Sequence, residues 1–326
     1  MSKNLDGLTI TIVYGDRRDI YLAKKLIEYN ARLLLVGFDK DELRFSFKEM
    51  NKVEFHNDLI GPAKKTDVMV LPIPGVDSQG FVKSTSKSKL YFNDEVAMSF
   101  KPKILVLVGM TSTYLLNLKE KYNFSLIETA ELNDFAILNS IPSAEGAIAK
   151  AMELTSITIH NSKSMVIGFG RVGITLARML KGLGANTYVA ARSSEQLARA
   201  LEMNCHLVEL EDMDEKLPEM EIIFNTVPSL ILPRQKLKLL NRDCVIIDLA
   251  SAPGGLDYNA AEELGITAYL APGLPGRVAP VTAGNILGSV YPELIVNHIS
   301  KGRGGVTNVC SRTNHWLCCD RFILHT

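Results

Sequence analysis

The stretch Val166-Ile167-Gly168-Phe169-Gly170-Arg171-Val172-Gly173-Ile174-Thr175 decides how this chain folds. Ser164–Ile167 reads as a short buried strand, and Val172–Leu183 carries helical apolar spacing. The three glycines therefore connect a strand to a helix. In that place the first permits a tight turn, the second lets a diphosphate approach the backbone, and the third lets helix and strand pack closely. The helix start then offers free N–H groups to an anion. With a further strand at Asn186–Ala191, the hexamer is read as a dinucleotide loop and not merely as a glycine-rich turn.

That second strand ends Ala191-Arg192-Ser193, where an NAD site would carry an acid for both ribose hydroxyls. An acid would repel a 2′-phosphate, whereas Arg192 and Ser193 would attract one, so NADP(H) is the expected cofactor. The plainer reading is an arginine capping a solvated strand end. Gly168, Phe169, Gly170, Arg171, Val172, Gly173, Ala191, Arg192 and Ser193 are the expected first half of the cofactor site. Later strand ends complete it: Thr226-Val227-Pro228, Leu249-Ala250, and Pro272-Gly273-Leu274.

Working outward, strands are expected at Leu8–Tyr14, Arg32–Phe38, Asp67–Pro72, Lys103–Val108 and Phe124–Glu128. Others are expected at His206–Val208, Ile222–Thr226, Val245–Leu249 and Ala268–Leu270. Helical stretches between them, such as Ile20–Tyr29, imply mainly parallel sheets in three layers. The polar segment Gly75–Lys89 is expected as a loop at the strand ends. The expectation is an α/β protein of two three-layer α/β domains, with an active site in the cleft between them. Residues 1–142 form a flavodoxin-like substrate domain, and 143–280 a Rossmann NADP-binding domain. A last helix within 281–300 rejoins the first domain. Pro142 is placed in the first turn of a helix over about Ser143–Ile157, with Ser140 or Ser143 as cap.

The chain has 326 residues, 36 Lys+Arg and 36 Asp+Glu, with 47% hydrophobic residues. This is the composition of a globular protein with room for two cores, and it gives no basic excess for nucleic acid or membrane surfaces. No apolar run is long enough to span a membrane, no secretory signal is visible, and five cysteines suggest no disulfide framework. An intracellular protein is expected. The neutrality is local: residues 301–326 hold four basic groups and one acid, and the preceding body is mildly acidic. The tail has no sustained apolar period and is expected to be disordered. Its His315, Cys318 and Cys319 lack zinc-site spacing, and no metal site is expected elsewhere.

Several separated motifs agree in order: Gly15-Asp16-Arg17-Arg18, Asn139-Ser140-Ile141-Pro142-Ser143-Ala144-Glu145-Gly146, the glycine loop, and Asn225-Thr226-Val227-Pro228-Ser229. Asp248-Leu249-Ala250-Ser251-Ala252-Pro253-Gly254-Gly255 and Ala271-Pro272-Gly273-Leu274-Pro275-Gly276 follow. The series resembles the dipicolinate synthase A-subunit family of spore-forming bacteria from about residue 5 to residue 298; residues 301–326 depart from it.

The resemblance implies NADP-linked oxidation of a dihydrodipicolinate-type intermediate to the aromatic pyridine dicarboxylate during sporulation. It implies a flavodoxin-like flavoprotein as second component (the B-subunit of dipicolinate synthase) and the mother-cell cytoplasm as location; a homo-oligomer is also expected. Two carboxylates on a substrate call for guanidinium forks and hydroxyls. Arg18, Arg277, Ser140 and Ser143 are the candidates. Glu145 is the candidate general base, or else a first-turn acid stabilised by the helix dipole; Asp16 is a second candidate base. Two alternatives stay open: another NADP-dependent dehydrogenase of a small carboxylate (shikimate or hydroxyacid type), and a non-catalytic NADP sensor.

Overall fold

The structure is a computed structural model, and it describes residues 4–302 except 44–45 and 87–88. The tail from 303 onward, with its expected disorder, lies outside the described residues. The first sheet comprises β1 (Thr9–Val13), β2 (Arg32–Val36), β3 (Val53–His56), β4 (Val68–Val70), β5 (Leu105–Val108) and β6 (Ser125–Glu128). The second comprises β7 (Lys163–Ile167), β8 (Asn186–Ala191), β9 (His206–Glu209), β10 (Ile222–Asn225), β11 (Val245–Asp248) and β12 (Thr267–Leu270). Every pairing is parallel, so each crossover must pass over a face, and helices cover both faces of each sheet. The expected fold class is the observed one.

The strand orders are β3-β2-β1-β4-β5-β6 and β12-β11-β10-β7-β8-β9. Both are doubly wound sheets that reverse direction beside their first strand, between β1 and β4 and between β7 and β10. Without its edge strand β3, the first sheet has the flavodoxin order. Sequence periodicity missed β3, whose four residues are all only partly buried and so carry no apolar signature.

The main correction concerns the link between the sheets. Asn133–Leu154 is one helix of 22 residues, and Pro142 lies inside it, not in its first turn. Its first part packs Phe135 into the first core, and Ala144, Ala147, Ile148 and Ala151 enter the second. Interior proline removes a backbone donor. Here hydroxyls turn back onto the preceding turn instead: Ser140 donates to the Ile137 carbonyl at 2.6 Å and Ser143 to that of Asn139 at 2.8 Å. Neither serine caps a helix.

The closing helix, Pro280–Gly302, returns to the first domain, where Ile286, Leu287, Val290, Tyr291 and Ile295 complete its core. It crosses the helix Arg18–Glu28 at glycines. A Cβ on Gly284 would lie 2.4 Å from the Arg18 carbonyl oxygen, and one on Gly288 would lie 2.4 Å from Lys25 Cγ.

Candidate functional site

The candidate site is built from the loops at the two points where the sheets reverse. In the second domain the ends of β7, β8 and β10 are in register, Ile167 beside Ala190 and Asn225. Gly168 leaves β7 with φ +87°, and a Cβ there would meet Thr226 Oγ1 at 2.5 Å. A Cβ on Gly173 would sit 2.1 Å from the Gly168 carbonyl oxygen. Gly170 has nothing within 4 Å of that position. Two glycines are thus demanded by protein packing, while the middle one opens onto empty space. This is the cradle that a diphosphate requires. No side chain caps the helix Arg171–Gly182, so its first N–H groups remain available to an anion.

A groove of about 650 Å³ runs over this loop. It is lined by residues 168–172, Ala190, Ala191, Arg192 and Thr226–Ser229, joined by Gln196, Leu210 and Ile231. β8 ends at Ala191, and the next residue is Arg192, not an acid. Arg192 is exposed beside the groove. Ser193 caps the next helix, Ser194–Glu202, by accepting from Gln196 N at 3.3 Å, which leaves its hydroxyl proton to be donated. Thr226 Oγ1 donates to the Ile167 carbonyl at 2.9 Å, so this hydroxyl locks the glycine turn. Leu249, Ala250, Pro272, Gly273 and Leu274 do not line this groove; they follow the next two strands. Leu274 turns its side chain into the second core against Gly146.

Sequence reasoning assigned no role to the buried network beneath these loops. Asp248 Oδ1 accepts from Asn225 Nδ2 at 2.8 Å and from Ala250 N at 3.0 Å. Its Oδ2 accepts from Gly255 N and from the Tyr258 hydroxyl, both at 2.7 Å. Burial and the Asp248 bond push the Tyr258 hydroxyl far above its ordinary range. The network fixes the ends of β10 and β11, where the register sets Asn225 beside Asp248.

In the first domain, the turn Gly15–Arg18 follows β1. Arg18 is 3% exposed; its Nε donates to Asp16 Oδ1 at 2.8 Å and to Oδ2 at 3.1 Å. Its Nη atoms have no hydrogen-bond partner among the described residues. Asp19, also 3% exposed, accepts through Oδ2 from Gly15 N at 2.7 Å and from Asp16 N at 3.2 Å. The expected Gly75–Lys89 loop reaches this turn: Ser84 Oγ donates to the Tyr14 carbonyl, and Thr85 donates twice to that of Gly15. The second domain touches here too. A Cβ on Gly276 would lie 2.3 Å from Asp16 Oδ2.

The remaining candidates are dispersed. Ser140 is buried and shares a 2.6 Å hydrogen bond with Thr175 on the glycine-loop helix, so it joins helices instead of facing solvent. Ser143 bonds its own helix. Arg277 is exposed and meets Tyr269 of its own domain at 3.4 Å. Glu145 lies mid-helix on an exposed stripe with Ile137 and Met152, which removes the first-turn reading. Asp16 is engaged by Arg18. Among the described residues, no cluster of His, Cys, Asp or Glu is arranged to hold a metal ion, and no helix is long and apolar enough to cross a membrane.

Comparison with known proteins agrees with this geometry. Residues 9–130 match the family described as the N-terminal domain of the dipicolinate synthase A-subunit. Residues 140–253 match the NAD-binding domain of D-isomer specific 2-hydroxyacid dehydrogenases. The dipicolinate synthase A-subunit of Bacillus subtilis (strain 168) is 38% identical over 297 residues, covering 89% of this chain and 97% of the relative. The crystal structure of the corresponding protein from Bacillus halodurans superposes with a TM-score of 0.82 at 36% identity, covering 90% of this chain and 99% of that one. D-lactate dehydrogenase from Escherichia coli, 14% identical with a TM-score of 0.61 and 90% and 98% coverage, shares the fold. A first domain, a nicotinamide-nucleotide domain and near full-length identity all agree, and this chain belongs to the dipicolinate synthase A-subunit family.

Proposed function

We propose that the chain oxidises a dihydrodipicolinate-type intermediate to dipicolinate, with NADP as the hydride acceptor. Its family and its dinucleotide domain make it an oxidoreductase of dipicolinate synthesis that takes a nicotinamide cofactor. Bound NADP would accept a hydride from the ring, and one proton leaves the substrate as well; the aromatic product supplies the driving force. What falls to the protein is orientation.

The observation that carries this reading is Arg18: a guanidinium 3% exposed at the domain contact, braced through Nε and with its Nη pair unpartnered among the described residues. A planar fork of this kind suits a carboxylate. Arg192, the hydroxyl proton of Ser193 and the start of the helix Ser194–Glu202 support 2′-phosphate recognition, because Arg192 stands directly after Ala191 where an NAD site would carry an acid, the nearest acid being Glu195 in the first turn of that helix. Asp16 is assigned to hold Arg18. Glu145, which has no partner among the described residues, is the candidate proton acceptor, and intact turnover in Glu145→Gln would remove it. We place the chain in the mother-cell cytoplasm as a homo-oligomer, working with a flavodoxin-like flavoprotein as the B-subunit.

The test supplies freshly made dihydrodipicolinate precursor with NADP, with and without that flavoprotein. Pyridine-dicarboxylate absorbance should rise only with chain, partner and NADP together. No product in either mixture would sink the proposal.

A further inference from the structure

Around Arg18 the described residues bring together one cation and two acids. From its own turn come Asp16 and Asp19. The end of β1 brings Tyr14, itself under the influence of Glu42, and its hydroxyl is pushed up to about 12, first by burial. The closing helix brings Tyr291, fully buried, with its hydroxyl 3.2 Å from Thr129 Oγ1. Of the described residues of the Gly75–Lys89 loop, the neutral Ser84 and Thr85 reach this turn. The segment Leu274–Val278 brings only Gly276, for its Arg277 is turned to Tyr269. Asp19 Oδ2 is held by two backbone N–H groups, and Oδ1 has no hydrogen-bond partner among the described residues.

We propose that Asp19 is a positioning residue for the anion held by Arg18: by accepting from Gly15 N and Asp16 N it holds the turn whose Asp16 carboxylate fixes the guanidinium, and it takes up one proton when a substrate carboxylate arrives. The inference rests on the reading of the substrate as a dicarboxylate and deepens it. With both acids ionised the cluster already carries one excess negative charge, so a carboxylate docking on Arg18 adds a second in a buried place. Protonating Asp19 cancels that addition, and neutral Asp19 still accepts from Gly15 and Asp16 through Oδ2. Burial first, then the neighbouring Asp16 charge, push the Asp19 carboxyl up to about 7, against the Gly15 hydrogen bond and the Arg18 charge. The group is therefore poised near neutrality. A bound anion favours its protonated form further.

Isothermal titration of pyridine-2,6-dicarboxylate into the NADP-saturated full chain from pH 6 to pH 9 tests this. The ligand's carboxyl groups are ionised throughout. Affinity should be level below about pH 7 and then fall by up to about tenfold per pH unit, as expected for one linked proton. Heats near pH 8 should differ between buffers of different ionisation enthalpy in the amount that one proton taken up requires. Asp19→Asn keeps an acceptor oxygen; it should bind with level affinity and no buffer-dependent heat, at unchanged NADP affinity. Level affinity and buffer-independent heat in the native chain would overturn the role of Asp19 and leave the dicarboxylate reading standing. A slope retained in a folded Asp19→Asn chain would do the same. No dicarboxylate binding at any pH, with NADP still bound, would overturn the dicarboxylate reading and this inference with it. Should Asp19→Asn fail to fold, the buffer comparison on the native chain decides.

Discussion

Gly170 and Gly173 are the same residue type three positions apart, and the surrounding atoms give them opposite duties. A methyl at Gly173 would press into the Gly168 carbonyl, and one at Gly170 would meet only open space. Gly173→Ala should therefore destabilise the fold by about 1–3 kcal/mol. Gly170→Ala should melt within about a degree or two of the native chain, yet lose about tenfold or more in cofactor affinity, because the methyl stands where a diphosphate must come. Calorimetry and cofactor titration of both variants check this, and a cold-melting Gly170→Ala with normal affinity would reverse the assignment. Arg192→Ala should raise the Michaelis constant for NADP about tenfold and leave that for NAD nearly unchanged; equal effects would remove the 2′-phosphate role. These residues were legible in sequence because their chemistry is local. Asp19 was not: an acid in a first helical turn looks like ordinary dipole stabilisation until burial and Asp16 are seen beside it.

At the scale of elements, the helix Asn133–Leu154 shows where local rules yield. Proline normally marks a helix start, and the sequence around Pro142 reads that way. The chain runs straight through it because both halves of the helix are buried, in different cores, and because Ser140 and Ser143 bond the carbonyls of the preceding turn. Gly284 and Gly288 act between elements as well. They allow the closing helix to lie against Arg18–Glu28, with Gly284 facing the backbone of Arg18 itself. Gly284→Ala should cost about 1–3 kcal/mol in chemical denaturation, since the methyl has backbone on one side and Tyr21 on the other. A loss below about half a kcal/mol would show that the two helices separate freely.

At the scale of the whole molecule, the first domain is built from residues on both sides of the second, so the chain passes between them twice. The buried acid at their contact carries a pH signature. Asp19 has a folded value of about 7 against 3.8 for an ordinary aspartate, so between these values the folded chain binds more protons than the unfolded one. Stability from this group is therefore fully present below about pH 4 and is lost as pH rises toward about 7. Asp19→Asn should gain on the native chain across that window and hold a constant advantage above it, measured by denaturation at each pH. A gain that grows toward low pH would contradict the sign. Removing residues 303–326 should leave NADP affinity unchanged, and a collapse in folding would show that the segment belongs to the body.

Period, glycine spacing and the Ala-Arg-Ser strand end were enough to establish two parallel α/β units and the nucleotide loop, because a strand, a turn and a helix are each specified by residues close in sequence. Four matters needed the tertiary structure: the edge strand β3, the unbroken helix through Pro142, the Asp248 network, and the meeting of Asp16, Arg18 and Asp19 with Gly276. Each depends on groups that are far apart along the chain and adjacent only when both sheets are formed. Burial and long-range charge, which set the state of Asp19, do not exist until then.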